Sequence, residues 1–275
     1  MSFVVVIPAR YASTRLPGKL LRPIAGKPLL QYTYEQAQKS GAQRIFIATD
    51  DQRIADAANG FSAEVVLTSE GHPSGTDRIA ELVEKMAFSD NTVVVNVQGD
   101  EPLIPPENIQ HVAGKLADAT SADMTTLCIP IKHSEELFNP NVVKVVLDNQ
   151  GYALYFSRST MPWNRDAFPD NYPGFTQKYL NSVKLDNLQC PYYRHIGLYA
   201  YRAGFLKRYV KLPPSALEKA EALEQLRVLS NGFRIQVVIT TDDSSIGVDT
   251  EADLQRVRAI IESNVESTIE SNRSG

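Results

Sequence analysis

Residues 3–7 read Phe-Val-Val-Val-Ile, an apolar run in which four of the five side chains are β-branched. A strand with one wet face would alternate, so this run predicts a strand buried on both faces, as in the centre of a parallel sheet. Arg44–Thr49, Glu64–Leu67 and Thr92–Val97 predict further strands, and helices are predicted over Leu29–Lys39, Gln52–Ala58 and Thr76–Met86. This alternation implies βαβ units with right-handed crossovers and helices on both faces. From about Met124 the rhythm changes. Met124–Ile131, Val142–Leu147, Ala153–Ser157 and His195–Tyr201 predict strands without long helices between them, and Pro162–Pro191, rich in Pro, Asn and Tyr, predicts a long loop or arm. Alternation resumes with a helix at Leu217–Ser230, a strand at Ile235–Thr240 and a helix at Glu251–Glu262, and the polar stretch 263–275 predicts a disordered tail. The expected fold is α/β: one domain over 1–262 with a mostly parallel, Rossmann-like sheet and an inserted mixed α+β subdomain at about 124–202.

Open α/β sheets bind ligands beyond the carboxyl ends of their strands. The first such loop runs Pro8-Ala9-Arg10-Tyr11-Ala12-Ser13-Thr14-Arg15-Leu16-Pro17-Gly18-Lys19, and up to Tyr34 the chain has no acidic residue but carries Arg10, Arg15, Lys19, Arg22 and Lys27. Five cations with no acid nearby in sequence call for an anionic partner. A nucleoside triphosphate fits, with Arg forks on phosphate oxygens and Lys as a point charge. Gly18 would let the backbone approach the phosphates closely. The plainer alternative is a solvated basic loop. A P-loop is excluded, because Ser13 stands where its first Gly must be and Leu20 follows Lys19. A dinucleotide-binding Gly-x-Gly-x-x-Gly is also missing.

Two carboxylates lie at strand ends. Asp100 follows Thr92–Val97 and the turn Gln98-Gly99, where a magnesium ion bridging triphosphate oxygens would be held. Asp249 precedes a predicted helix whose cap is Thr250, with Asp253 at the third helical position. Turn formation and helix initiation are the alternative roles. Ser74-Gly75-Thr76-Asp77-Arg78 opens a helix, and its free amides suit a pyrimidine edge or a phosphate, unless Ser74 or Thr76 is only a cap. Within a helix over Leu217–Ser230, Glu221, Glu224 and Gln225 would share one face.

Composition narrows the classes. The chain has 275 residues, 43% hydrophobic and 22% charged, with a net charge of −4, so no broad nucleic-acid or acidic-membrane surface is expected. Two cysteines, Cys128 and Cys190, are too few for a disulfide framework or a cysteine-rich zinc site. No run approaches a membrane span, and the first apolar stretch stops at Pro8 without a basic leader, so the expected address is the cytoplasm, without membrane insertion.

The opening Ile7-Pro8-Ala9-Arg10, with Ser13-Thr14-Arg15-Leu16-Pro17-Gly18-Lys19, resembles the sugar-activating cytidylyltransferases. The fuller Val4–Lys19 string is similar to the branch acting on the acidic sugar 3-deoxy-manno-octulosonate (Kdo). The likeness continues through Ala48-Thr49-Asp50, Ser74–Arg78, Asn96–Pro102, Lys144–Asp148, Tyr155–Arg158, Arg194–Gly197, Leu223–Arg227 and Gly247–Thr250, and departs in the long segment Asn164–Tyr192. It implies a nucleotide-diphospho-sugar transferase fold and transfer of CMP from CTP to Kdo for lipopolysaccharide biosynthesis. The anomeric 2-hydroxyl would attack the α-phosphorus in line, with pyrophosphate leaving.

The same resemblance implies residue roles. Arg10, Arg15, Lys19 and Asp100 would be catalytic, and Ala9, Arg10, Lys19, Ser74, Gly75, Arg78 and Gln98 would bind the nucleotide. Gln98, Arg158, His195, Tyr199, Glu224 and Gln225 would bind the sugar, although His195 on a strand could equally be a buried structural histidine. Asp100 and Asp249 would hold Mg²⁺, and a homodimer is expected. The alternatives are a cytidylyltransferase for another acidic sugar, such as a sialic acid, and a non-catalytic CTP-binding regulator.

Overall fold

A computed structural model describes residues 2–13, 15–119, 121–168, 185, 188, 190–242 and 246–273, the last nine of these by backbone only. Strand β1 (Phe3–Ala9) forms the axis. It pairs in parallel with β4 (Arg44–Thr49) on one side and β6 (Val93–Asn96) on the other, with Val5 opposite both Ile45 and Val95. A two-stranded ribbon, β2 (Pro23–Ile24) and β3 (Lys27–Pro28), follows a short 3₁₀ turn at Lys19–Leu21. The remaining strands are β5 (Glu64–Leu67), β7 (Met124–Pro130), β8 (Lys144–Leu147), β9 (Ala153–Ser157), β10 (Tyr193–Arg202) and β11 (Ile235–Ile239). The nine-stranded sheet has the order β11-β7-β10-β6-β1-β4-β5, with β8 paired to β10 and β9. All its strands run one way except β9 and β10. This is the mostly parallel α/β sheet expected from the apolar runs.

The absence of alternation in β1 now has its cause. Phe3, Val5 and Ile7 enter a core beneath α1 (Leu29–Lys39), α2 (Gln52–Gly60) and α4 (Pro106–Asp118). Val4 and Val6 enter a second core beneath α3 (Gly75–Lys85) and α6 (Ala203–Tyr209). Each fully buried aliphatic side chain contributes roughly 1.5–3 kcal/mol, so both faces of the strand must be apolar. A short α5 spans Ser134–Phe138.

Three segments differ from the sequence expectation. Helix α4 was not foreseen, although Ile109, Val112, Ala113 and Leu116 carry helical spacing and are buried. The single helix expected at Leu217–Ser230 is two, α7 (Ala216–Glu221) and α8 (Gln225–Ser230), separated by Ala222 in the left-handed region at φ 52°. The break brings Glu218 to Arg227, whose guanidinium makes 2.5 and 2.8 Å bonds to both carboxylate oxygens. In an unbroken helix those residues would stand ~13.5 Å apart along the axis. The last helix, α9, runs Glu251–Arg273 rather than stopping at Glu262. Residues 263–273 contain neither Gly nor Pro to end it. Most of Pro162–Pro191 lies outside the described residues, as do Thr14 and Asp243. Among the described residues, no helix is long and apolar enough to cross a membrane.

Candidate active site

The chain leaves β1 at Ala9 and returns at a 3₁₀ turn, where Gly18 N–H donates to the Tyr11 carbonyl at 3.2 Å. Leu16 anchors this loop in the first core, and Gly18 sits at φ 64°, a conformation that costs glycine nothing. Lys19 Nζ then reaches three acceptors: Asp100 Oδ2 at 2.5 Å, Val248 O at 2.8 Å and Asp249 Oδ1 at 2.9 Å. Arg15 meets the other oxygen of Asp249 at 2.8 Å. A backbone bond from Val248 N to Asp100 O, 2.9 Å, holds the two acidic segments side by side. The segments pack closely: a Cβ on Gly99 would come within 3.3 Å of the Pro8 carbonyl. Burial alone would lower the Lys19 pKa, but the Asp100 and Asp249 carboxylates outweigh it and the net shift is upward, so Lys19 stays charged.

The expectation that the loop's cations stand without acidic partners is corrected here. Arg15 and Lys19 pair as above, Arg22 pairs with Glu251 and Lys27 with Glu35. The acids come from distant sequence and from the next helix, which a scan of residues 1–34 cannot see. Among the described residues, Arg10 is the cation of the five that meets no carboxylate. It lines both large cavities of the site.

The larger cavity, about 630 Å³, is bounded by Arg10, Arg15, Lys19, Gln98, Asp100 and Asp249. A small side pocket of about 70 Å³ adds Ala9, Ser74, Gly75 and Arg78. Ser74 is the N-cap of α3: its hydroxyl accepts from Asp77 N at 3.3 Å and donates to Asp77 Oδ2 at 2.7 Å. Arg78 is buried and holds Thr68 Oγ1 at 2.5 Å and Asp50 Oδ2 at 2.7 Å, which ties the ends of β4 and β5 to the start of α3. Asp249 lies just before the α9 cap, where Thr250 and Asp253 bond each other reciprocally as the sequence predicted.

The second cavity, about 420 Å³, opens beside the first and shares Arg10, Gln98, Ser74 and Gly75 with it or its side pocket. Its far wall is Tyr199, Glu224 and Gln225. Glu224 accepts from Thr76 Oγ1 at 3.2 Å, and burial raises its pKa despite that bond. Gln225 is 6% exposed, and its Nε2 has no hydrogen-bond partner among the described residues. The residue lines the cavity, but this nitrogen is itself closed off from solvent and is an unpaired polar atom packed behind the wall. Tyr199 reaches the wall because β10 slips its register between Ile196 and Tyr199, which turns the strand there.

Two residues expected at the sugar lie elsewhere. Arg158 is not on the cavity wall; its Nε donates to the Glu221 carbonyl at 2.7 Å and its backbone N–H to the Glu221 carboxylate at 2.9 Å. Glu221 also takes Ser157 Oγ at 2.6 Å, so it points away from Glu224 and Gln225 once the helix is broken at Ala222. His195 packs edge-on to Phe156 and beside Tyr199, with Nε2 3.0 Å from Thr126 Oγ1. Burial pushes its pKa down to about 3, so the ring is neutral. Asn96, Tyr201 and Tyr209 line the second cavity and were not singled out for it. Asn96 left a signal, a polar residue ending the run Val-Val-Val-Asn in a buried strand. The tyrosines left none, because the same residue type fills the adjacent core.

The two carboxylates that flank Lys19 suit a magnesium ion only together with a ligand's oxygens. Magnesium is usually held by one or two carboxylates plus phosphate groups, and no cluster of three or more acidic, His or Cys ligands occurs among the described residues.

A crevice of this kind, with a cationic loop facing two strand-end aspartates, suits the transfer of a nucleotidyl group, and the relatives of this chain make it a nucleotidyltransferase. A cytidylyltransferase family profile matches residues 4–247, and the chain belongs to that family. More particularly, the 3-deoxy-manno-octulosonate cytidylyltransferase of Haemophilus influenzae is 53% identical over 264 residues, 96% of this chain and 100% of its own. That of Photobacterium profundum is 55% identical over 261 residues, 95% and 100% of the two chains. A solved CMP:2-keto-3-deoxy-manno-octonic acid synthetase complexed with CTP superposes with a TM-score of 0.82 at 38% identity, covering 96% of this chain and 100% of that one. A cytidylyltransferase from Leptospira borgpetersenii, at 15% identity and a TM-score of 0.60, shares the fold.

Proposed function

We propose that this enzyme transfers CMP from CTP to Kdo, releasing pyrophosphate, as a step in lipopolysaccharide biosynthesis. The observation that carries the reading is the pair of adjoining cavities: one lined by Arg10, Arg15 and Lys19, the other by Asn96, Thr76, Glu224 and Gln225. The first suits a triphosphate and the second a polyhydroxylated acid. Relatives named for this reaction cover nearly the whole chain.

The chemistry follows from this arrangement. The 2-hydroxyl oxygen of Kdo bonds to the α-phosphorus as the α–β anhydride bond breaks, pyrophosphate leaves with the bonding pair, and the hydroxyl proton passes to solvent. Arg10, which meets no carboxylate among the described residues, would meet phosphate charge at the junction of the cavities, and Arg15 and Lys19 extend that positive edge. Thr76 and Glu224 orient sugar hydroxyls, and Gln225 completes the same wall. Asp100 and Asp249 would hold Mg²⁺, which when bound neutralises phosphate charge and lowers the pKa of the attacking hydroxyl. The reading includes a cytoplasmic homodimer, for which the exposed Leu154 and Ile239 offer apolar surface.

Pyrophosphate release from purified protein tests the proposal. Release requiring CTP, Kdo and a divalent cation, and stopped by EDTA, is expected. Turnover with a sialic acid and none with Kdo would replace the substrate, and CTP binding without any turnover would favour a regulator.

A further inference from the structure

We propose that Arg53, on the first turn of α2, clamps the cationic loop through the ring of Tyr11 and so positions that loop for the nucleotide; this rests on the nucleotidyltransferase reading above. The N-cap of α2 is Asp51, whose Oδ1 accepts the Arg53 backbone N–H at 2.9 Å. The same carboxylate takes Arg53 Nε at 2.9 Å and Nη2 at 2.6 Å. A two-point pair of this kind fixes the plane of the guanidinium. It leaves Cζ 3.4 Å from the centre of the Tyr11 ring.

The ring is held from a second side of the loop. A Cβ on Gly18 would meet Tyr11 Cζ and Oη at 3.0 Å, and the Tyr11 carbonyl accepts the Gly18 N–H. Tyr11 therefore closes the loop by its backbone and packs across the closure with its ring. Between the two ends lie Ser13 and Arg15, with Lys19 just after, and all of these line the larger cavity. Arg53 does not line it, so it acts through Tyr11 as a positioning residue. Its side chain is 60% exposed, so the Asp51–Arg53 pair adds little stability by itself; what it supplies is direction. Helix α2 is anchored separately by Ile54, Ala55 and Ala58, so removing the guanidinium leaves the core intact.

The test compares Arg53→Ala, Arg53→Lys, Tyr11→Ala and the double alanine variant in steady-state kinetics. Arg53→Ala should raise KM for CTP about three- to fivefold, the scale of one cation–π contact at a partly exposed site. KM for Kdo, kcat and the melting midpoint should move much less, and Arg53→Lys should recover part of the loss. The double variant should be no worse than Tyr11→Ala, because both changes break one contact. A readout independent of turnover is tryptic cleavage after Arg15 in nucleotide-free protein, which should quicken in Arg53→Ala. Additive losses in the double variant, or cleavage after Arg15 as slow as in wild type, would overturn the clamp. If wild type releases no pyrophosphate from CTP and Kdo, the functional reading falls while the cleavage comparison still decides the clamp.

Discussion

The two cavities hold charge by opposite means. Around the larger one, Arg15, Lys19, Asp100 and Asp249 form a chain of ion pairs in which Arg15 and Asp249 remain largely open to solvent. Around the smaller one, Gln225 is buried, while Glu224 is exposed to the cavity and faces Tyr199, Tyr201 and Tyr209, where desolvation raises its pKa. The first region is complementary to a strongly charged ligand that water can also reach. The second presents hydroxyl, amide and carboxylate groups on an aromatic wall, which suits a ligand that can hydrogen-bond to them. Changes in the first should therefore act mainly on turnover and nucleotide binding, and changes in the second on sugar binding and stability.

The strongest break in that division is Asp100→Asn. Turnover at saturating magnesium should drop by about 100-fold or more, the scale of losing one transition-state electrostatic contact; near wild-type turnover would remove Asp100 from the reaction. Next is acid stability. The His195 pKa is about 3 in the folded protein against an ordinary 6.5. Its contribution is fully present above pH 6.5 and is lost as pH falls toward 3, because only the unfolded chain takes up the proton in that window. At pH 5 this costs ~2 kcal/mol, and His195→Gln should lose correspondingly less stability between pH 7 and pH 5 in urea titrations. Equal losses in both proteins would show that the ring is not kept neutral by burial.

Gln225→Leu sharpens the contrast further. KM for the sugar should rise about tenfold, the low end for a hydrogen bond to a charged group, while the melting midpoint holds or increases because an unpartnered buried nitrogen is gone. A fall in the midpoint would mean that Gln225 is structural. The smallest effect is on ionic strength: raising salt from 0.05 to 0.5 M should weaken CTP binding about two- to threefold through screening at the exposed ion pairs. Sugar affinity should change less, and equal sensitivity would erase the distinction.

The same division decides what could be read from the chain. The phosphate-side loop is contiguous, so Arg10, Arg15 and Lys19 stand out without any knowledge of tertiary structure. Asp100 and Asp249 follow from strand ends and a helix cap. The second cavity is assembled from β6, β10, the start of α3 and the α7–α8 junction. Strand β10 runs against its neighbours, so the residues it gives to the cavity, Gly197, Tyr199 and Tyr201, lie at or past its midpoint, beside the end of β6, rather than at the strand end that the parallel rule points to. The break at Ala222 depends on a buried Glu218–Arg227 pair and on Leu223 and Leu226 entering the core, none of which helical periodicity reveals. Glu221 leaves the face it was expected to share with Glu224 and Gln225 for that reason, and it meets Arg158 instead. Tyr201 and Tyr209 were hidden because a tyrosine at a cavity wall and one in a core look alike in sequence.

Arg10 and Gln98 belong to both cavities. An inhibitor fitted to either one therefore touches two side chains that an occupant of the other also touches. By linkage, the factor by which one occupant alters the affinity of the other is the same in both directions. Ranking the same compounds against the empty and the nucleotide-loaded protein would then measure how firmly these two side chains tie the cavities together, identical rankings meaning that they do not.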